Sequence, residues 1–262
     1  MKLAFSNIAW TAEMDGAAYS LMRKYGFTGL EIAPTRIFPE DPYSRCDEAK
    51  EWADGLYREY GFAVPSIQSI WYGRQEKLFG TEEERRILLE YTGRAILFAS
   101  AVGSGNIVFG CPRNRCINSV GDEEKGVRFF REIAGYALDH GTSIGMEANP
   151  PVYNTNYITG TADAVRLIEE VGSGGFRLNL DLGTMIENGE TLRVISENTH
   201  LIQHVHISEP GLMPPVPRSL HREVRDMLET ADYRGWVSVE MKTVSDIGVL
   251  EQVMKYVSEV FL

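Results

Sequence analysis

Strand-like and helix-like segments alternate eight times along this chain, and nothing else in it restricts the fold as tightly. Short apolar runs at residues 3–9, 28–33, 62–70 and 106–110, with those ending at Glu147, Asp181, Ile207 and Glu240, have strand length and composition. Between them lie segments with apolar residues at helical spacing, for example Ile87, Leu88, Tyr91, Ala95, Phe98, Ala99 and Val102. Thr81 followed by Glu82, Glu83 and Glu84 places the negative charge that a helix N-terminus favours. Gly26, Gly61 and Gly141 are the stops of three of these helices. One marker per strand end (Glu31, Gln68, Gly110, Glu147, Asp181, His206, Glu240) gives separations of 25 to 42 residues. That is the length of one βα unit and leaves no room for an inserted domain. Regular alternation implies a parallel sheet with helices outside it, and eight repeats imply closure. The expected fold is a single-domain α/β (β/α)8 TIM barrel spanning residues 1–262.

Composition narrows the function. A chain of 262 residues that is 44% hydrophobic and 24% charged can bury a large core without staples. Its three cysteines (Cys46, Cys111, Cys116) form no CxxC pair and read as free thiols in a reducing compartment. A formal net charge of −11 argues against a nucleic-acid partner, whose phosphates demand concentrated Lys and Arg. The N-terminal apolar stretch gives way to Glu13 and Asp15, so it reads as a first strand and not as a signal peptide. No apolar run reaches the ~20 residues of a spanning helix, so no membrane partner is expected and a cytoplasmic location is. A homo-oligomer paired through outer helices is compatible with the fold, but no exposed stripe singles out an interface.

Side-chain parity then locates the chemistry. Alternate residues of a strand face opposite sides. One face carries Ile144, Met146 and Ala148; Phe176, Leu178 and Leu180; Val205 and Ile207; Val237, Val239 and Met241. Glu147, Asp181, His206 and Glu240 all have the opposite parity, so they face whatever the strands enclose. Each lies near a strand end, where barrel active sites form. His204 shares that parity one layer deeper and reads as a core residue. Three carboxylates on one mouth would repel each other, and a divalent cation removes the conflict. An oxygen-rich set with one nitrogen and no sulfur suits Mn²⁺ or Mg²⁺ and tolerates Co²⁺ or Zn²⁺. Four protein ligands on an octahedral ion leave two positions for the oxygens of a diol or hydroxyketone.

The segments Gly145-Met146-Glu147-Ala148-Asn149-Pro150, Leu178-Asn179-Leu180-Asp181-Leu182-Gly183-Thr184, His204-Val205-His206-Ile207-Ser208-Glu209-Pro210 and Val237-Ser238-Val239-Glu240-Met241-Lys242 resemble the xylose-isomerase-like TIM barrels. Those are sugar and sugar-phosphate isomerases and epimerases, with endonuclease-IV-type enzymes as distant relatives. Gly29-Leu30-Glu31-Ile32 is similar to the second strand of that family. The resemblance implies one divalent metal on Glu147, Asp181, His206 and Glu240. It also implies that Glu147 and Glu240 double as acid and base, through proton abstraction α to a carbonyl and a metal-stabilised enediolate. The implied partner is a small sugar or sugar phosphate. Many epimerases of the family have a histidine where this chain has Thr184, so one substrate contact is expected to differ.

The longer loops supply candidate substrate contacts. Arg113 and Arg115 after the fourth strand could grip a phosphate or carboxylate, or form a solvated turn. Gln68 ends the third strand. Trp10, Trp71 and Tyr72 sit at strand ends, where a ring could pack on a sugar face or serve ordinary packing of the rim. His221 could reach the substrate or simply begin a helix. Two other readings stay open: a metal-dependent dehydratase or lyase acting on a related polyol ketone, and a non-catalytic metabolite-binding barrel. An endonuclease-IV-type nuclease would need further metal-ligating histidines, and the comparable strand ends offer Gln68 and Gly110.

Overall fold

The computed structural model describes residues 1–262. β1 (Lys2–Ser6) leads to α1 (Asp15–Lys24), and β2 (Gly29–Glu31) to the one-turn α2 (Pro34–Ile37) and then α3 (Cys46–Tyr60). β3 (Ser66–Ile67) precedes α4 (Glu82–Ala101), β4 (Asn106–Phe109) precedes α5 (Asp122–Asp139), and β5 (Ile144–Met146) precedes α6 (Thr161–Val171). β6 (Phe176–Asp181) is followed by α7 (Leu182–Asn188) and α8 (Arg193–Ser196), β7 (Ile202–Ile207) by α9 (Ser219–Thr230), and β8 (Trp236–Val239) by α10 (Ile247–Phe261).

All eight strands are parallel, in the order β2-β1-β8-β7-β6-β5-β4-β3. The two ends of that row meet. Leu30 N donates to Ala63 O at 2.9 Å, Ile32 N to Ser66 O at 3.1 Å, and Gln68 N to Ile32 O at 2.9 Å. The architecture is the expected single-domain (β/α)8 barrel. No helix is long and apolar enough to cross a membrane.

The two faces of the strands differ as parity requires. Outward-facing Met146, Leu178, Leu180, Val205, Ile207, Val237 and Val239 are buried beneath the helices. Each such side chain contributes about 1.5–3 kcal/mol by leaving water. The inward face is polar: Ser6, Glu31, Ser66, Asn106, Asn179, His204, His206 and Ser238 are all buried. The helix signals hold as well. Thr81 and Glu84 close a capping box, with Glu84 N donating to Thr81 Oγ1 at 3.2 Å and Thr81 N to Glu84 Oε2 at 2.8 Å.

Three details depart from the sequence reading. β3 shrinks to two residues, because Pro65 has no N–H to give the ladder and Ser69 turns left-handed at φ 56. The loop after β2, residues 33–45 with α2 inside it, joins the long ones on the active face. α7 was not anticipated; it starts directly on Asp181, whose carboxylate accepts from Thr184 N at 2.6 Å, and stops at Gly189.

Candidate metal centre and active site

Parallel pairing brings the four ligand-type residues together. Asp181 is in register with His206, and Glu240 N donates to Ile207 O at 3.1 Å, one residue past that pair. On the other side, Glu147 N donates to Phe109 O at 3.1 Å. One ligand atom from each of Glu147, Asp181, His206 and Glu240 lies within 4.8 Å of all the others. His206 Nδ1 is 3.0 Å from Glu147 Oε1, 3.3 Å from Glu240 Oε2 and 4.0 Å from Asp181 Oδ2. Bonds of ~2.1 Å around an octahedral ion place adjacent ligands ~3.0 Å apart and opposite ones ~4.2 Å apart. The donor set fits one small divalent cation.

The electrostatics ask for that charge. Burial pushes Asp181 up to about 6, with the charge of Glu147 adding to the rise and His206 opposing it. Burial likewise pushes Glu240 up to about 7 against the pull of His206. For His206 burial acts downward, but Glu31, Glu240 and Glu147 outweigh it and hold the imidazole well above its ordinary range. A cluster this acidic draws in positive charge, whether a proton or a metal.

Three of the four residues are held from behind. Glu147 accepts from Asn149 Nδ2 at 3.0 Å and from Asn179 Nδ2 at 2.9 Å. Asp181 accepts from the Ser208 hydroxyl, which in turn accepts from Gly183 N at 2.8 Å. Gly110 leaves the space Glu147 needs, since a Cβ there would lie 2.7 Å from Glu147 Oε2. The other nitrogen of His206, Nε2, lies 3.0 Å from Glu31 Oε2. Glu31 is wholly buried and also accepts from Gln68 Nε2 at 3.2 Å; Gln68 donates to Ser6 Oγ at 2.6 Å as well. Burial would raise the Glu31 carboxyl, but His206 and His204 hold it far below the usual range. A carboxylate behind a ligating imidazole fixes its tautomer and aims the free nitrogen at the metal.

A cavity of about 180 Å³ opens over the cluster, bordered by Glu147, Asp181 and Glu240 with Gln68, Tyr153 and Glu209. Beside it, above β1 to β3, lies a wider groove of about 960 Å³. A third hollow of about 500 Å³ lies between the loops after β3 and β4.

The family model described as "Xylose isomerase-like TIM barrel" matches residues 19–259. The chain belongs to that family. No curated protein matches it. Among solved structures, 3-keto-D-glucoside 4-epimerase, YcjR, from E. coli is 22% identical with a TM-score of 0.78, over 99% of each chain. D-psicose 3-epimerase from Clostridium cellulolyticum H10, with D-tagatose, is 19% identical with a TM-score of 0.78, over 100% of this chain and 99% of its own. The probable 3-DHS dehydratase AsbF from Bacillus anthracis is 16% identical with a TM-score of 0.70, over 98% and 99%. At these identities the likeness is one of fold.

Within this xylose-isomerase-like barrel, the candidate substrate contacts scatter. Gln68 borders the cluster cavity, but both bonds of its amide nitrogen run inward to Ser6 and Glu31. Trp10 borders the wider groove; it is 1% exposed and gives Nε1 to Asp15 at 2.8 Å. Trp71 borders the third hollow, 3% exposed, with Nε1 given to Thr92 at 2.9 Å. Neither indole offers a face for stacking. Arg113 is exposed at the third hollow.

Two of the candidate contacts are engaged inside the fold. Arg115 is wholly buried, and its donors go to the carbonyls of Gly110, Glu147, Tyr157 and Ile158 and to Asn149 Oδ1. All five N–H groups of a guanidinium are thereby used. His221 begins α9 but faces its interior side, fully buried, with Nδ1 2.8 Å from the Tyr256 hydroxyl on α10. Burial lowers it to about 4. Thr184, in the place of the family histidine, is buried and donates its hydroxyl to Ala148 O at 2.7 Å.

Glu31, Asn149 and Asn179 escaped a functional assignment from sequence. Parity was the available signal for all three: Glu31 is opposite to Leu30 and Ile32, and Asn149 and Asn179 share the parity of Glu147 and Asp181.

Proposed function

We propose that this protein is a divalent-metal-dependent isomerase or epimerase acting on a small sugar or sugar-derived carbonyl compound. The observation that carries the proposal is the convergence of Glu147, Asp181, His206 and Glu240 within one ligand radius beneath a cavity of about 180 Å³. The epimerases among the structural neighbours, with keto-glucoside and psicose substrates, support the same chemistry.

Those four residues would hold the cation, which would supply the charge that polarises a substrate carbonyl and favours loss of its α proton. The protein's own groups do the rest. Glu147 and Glu240 approach the centre from β5 and β8, on either side of His206. One takes the proton α to the carbonyl and the other returns a proton to the neighbouring or the same carbon. They are not equivalent. Glu147 is pinned by two amides, whereas Glu240 has His206 as its close partner, so Glu240 has more freedom to follow a moving proton.

Incubation of the metal-loaded protein with a panel of ketoses, sugar phosphates and inososes in D₂O tests the reading. Deuterium should appear at carbon, and Glu147→Gln and Glu240→Gln should each slow its entry by about 10²- to 10⁴-fold with metal still bound. Full exchange in both variants, or failure of the wild type to bind Mn²⁺, Mg²⁺, Co²⁺ or Zn²⁺, overturns it. Loss of water from the substrate in place of simple exchange would move the assignment to a dehydratase.

A further inference from the structure

The three hollows on the active face meet at one residue. Ser69 borders all of them, held at φ 56 with its hydroxyl donated to Gln68 Oε1 at 3.1 Å. The cavity over the carboxylates, at about 180 Å³, has the volume of some six waters at ~30 Å³ each. That is the size of one small polyol. The adjoining groove is several times larger at about 960 Å³, and the proton-transfer chemistry makes no use of it.

The wall of that groove has a definite character. Its arginines are paired: Arg36 with Asp15, Arg74 with Glu76, and Arg94 3.7 Å from Asp41. With Arg36 and Arg74 committed to carboxylates, and Asp41 beside the half-exposed Arg94, the groove disfavours a phosphate. The carboxylates of those pairs keep lone pairs free to accept from sugar hydroxyls. Buried Asn7 stands in the same wall, with Oδ1 accepting from Ala33 N at 2.9 Å and Nδ2 without a partner. Over the rim lies Tyr72, 73% exposed and shared between the groove and the third hollow. Of the aromatic residues at these strand ends, Tyr72 is the one whose ring stays open.

We infer that the substrate is a two-part sugar: a carbonyl-bearing unit in the small cavity, joined by a glycosidic bond passing Ser69 to a neutral second sugar that lies in the groove against Tyr72. The inference rests on the proposed proton transfer for the reacting unit, and the groove supplies the substrate class.

The test compares kcat/KM for deuterium exchange on D-fructose with that on the glycosylated ketoses maltulose and lactulose and on fructose 6-phosphate, using the metal-loaded full chain. At least one glycosylated ketose should exceed the free sugar by about tenfold, through KM, and Tyr72→Ala should reduce that advantage by about the same factor. The substitution sits on an exposed side chain, so folding is preserved. Equal use of free and glycosylated sugars, preference for the phosphate, or an advantage unaffected by Tyr72→Ala overturns the inference and leaves the proton transfer standing. If no sugar exchanges deuterium, the proton-transfer reading fails, and saturation-transfer NMR with maltulose decides the groove by itself. Contact with the non-reducing ring that disappears in Tyr72→Ala supports it, and absence of contact in the wild type overturns it.

Discussion

The half of the barrel from β5 to β8 and the half from β1 to β4 solve different problems. In the first, β6 and β7 run six residues each, and four registered pairs link them. Every ligand-type residue of the cluster sits at a strand end of this half. In the second, β3 is two residues long, and the barrel is completed by isolated main-chain bonds between β2 and β3. Its loops spread into the wide groove. Under the proposed function, the contrast would place reactivity at the strand ends and substrate choice in the loops, as expected where loops vary on a fixed scaffold. The inner network crosses that division, because Glu31 of β2 supports His206 of β7.

The largest test of this division uses two arginines from one loop of the β1–β4 half. Arg115→Leu should cost about 3–5 kcal/mol in a denaturant melt, since it strips the donors that tie the end of β4 to Glu147 O and the carbonyls of residues 157 and 158. Arg113→Ala, two residues away and exposed, should stay within about 0.5 kcal/mol. Equal effects would show that the loop is not divided between a structural and a solvent-facing arginine.

His221 sharpens the comparison from the other half, where a histidine after the seventh-strand loop reads either as a substrate contact or as the start of a helix. Its folded value of about 4 lies below the ordinary unfolded value of ~6.5. The fold therefore keeps it neutral, while the unfolded chain takes up a proton as pH falls. Stability from this residue is complete above about 6.5 and declines as pH drops toward 4, by up to about 3 kcal/mol. Burial is the main cause; Glu209 opposes it and Arg218 reinforces it. Melts of His221→Gln and wild type between pH 4 and 7 should show a shallower slope for the variant, and parallel slopes would remove the assignment.

The smallest effect belongs to the residue that bridges the halves. Glu31→Gln should weaken divalent metal binding by about 10- to 100-fold in a calorimetric titration, with the four ligands intact. Unchanged affinity would mean that the strand backbone alone orients His206.

The barrel and the four ligand-type residues were legible because both follow from periodicity. A period of two sets which face a strand residue occupies, and eight repeats set the closure. The roles of Arg115 and His221 were not legible. An arginine that serves carbonyls and one that serves a phosphate have the same neighbours in sequence, and only the folded position of residues 147, 149, 157 and 158 tells them apart. The loop after β2 looked like a strand-to-helix connection, and its contribution to the groove depends on where α2 places Arg36 and Asp41. Glu31 lay between, with the right parity but no sign of what it faced.

Residues 33–45 therefore have a practical meaning. They wall the groove without supplying any member of the carboxylate–imidazole cluster. If the proposed two-part substrate and proton transfer hold, exchanging this segment for one of different length should redirect which conjugates are accepted with the exchange chemistry unaltered, which makes it the natural place to begin engineering new selectivity.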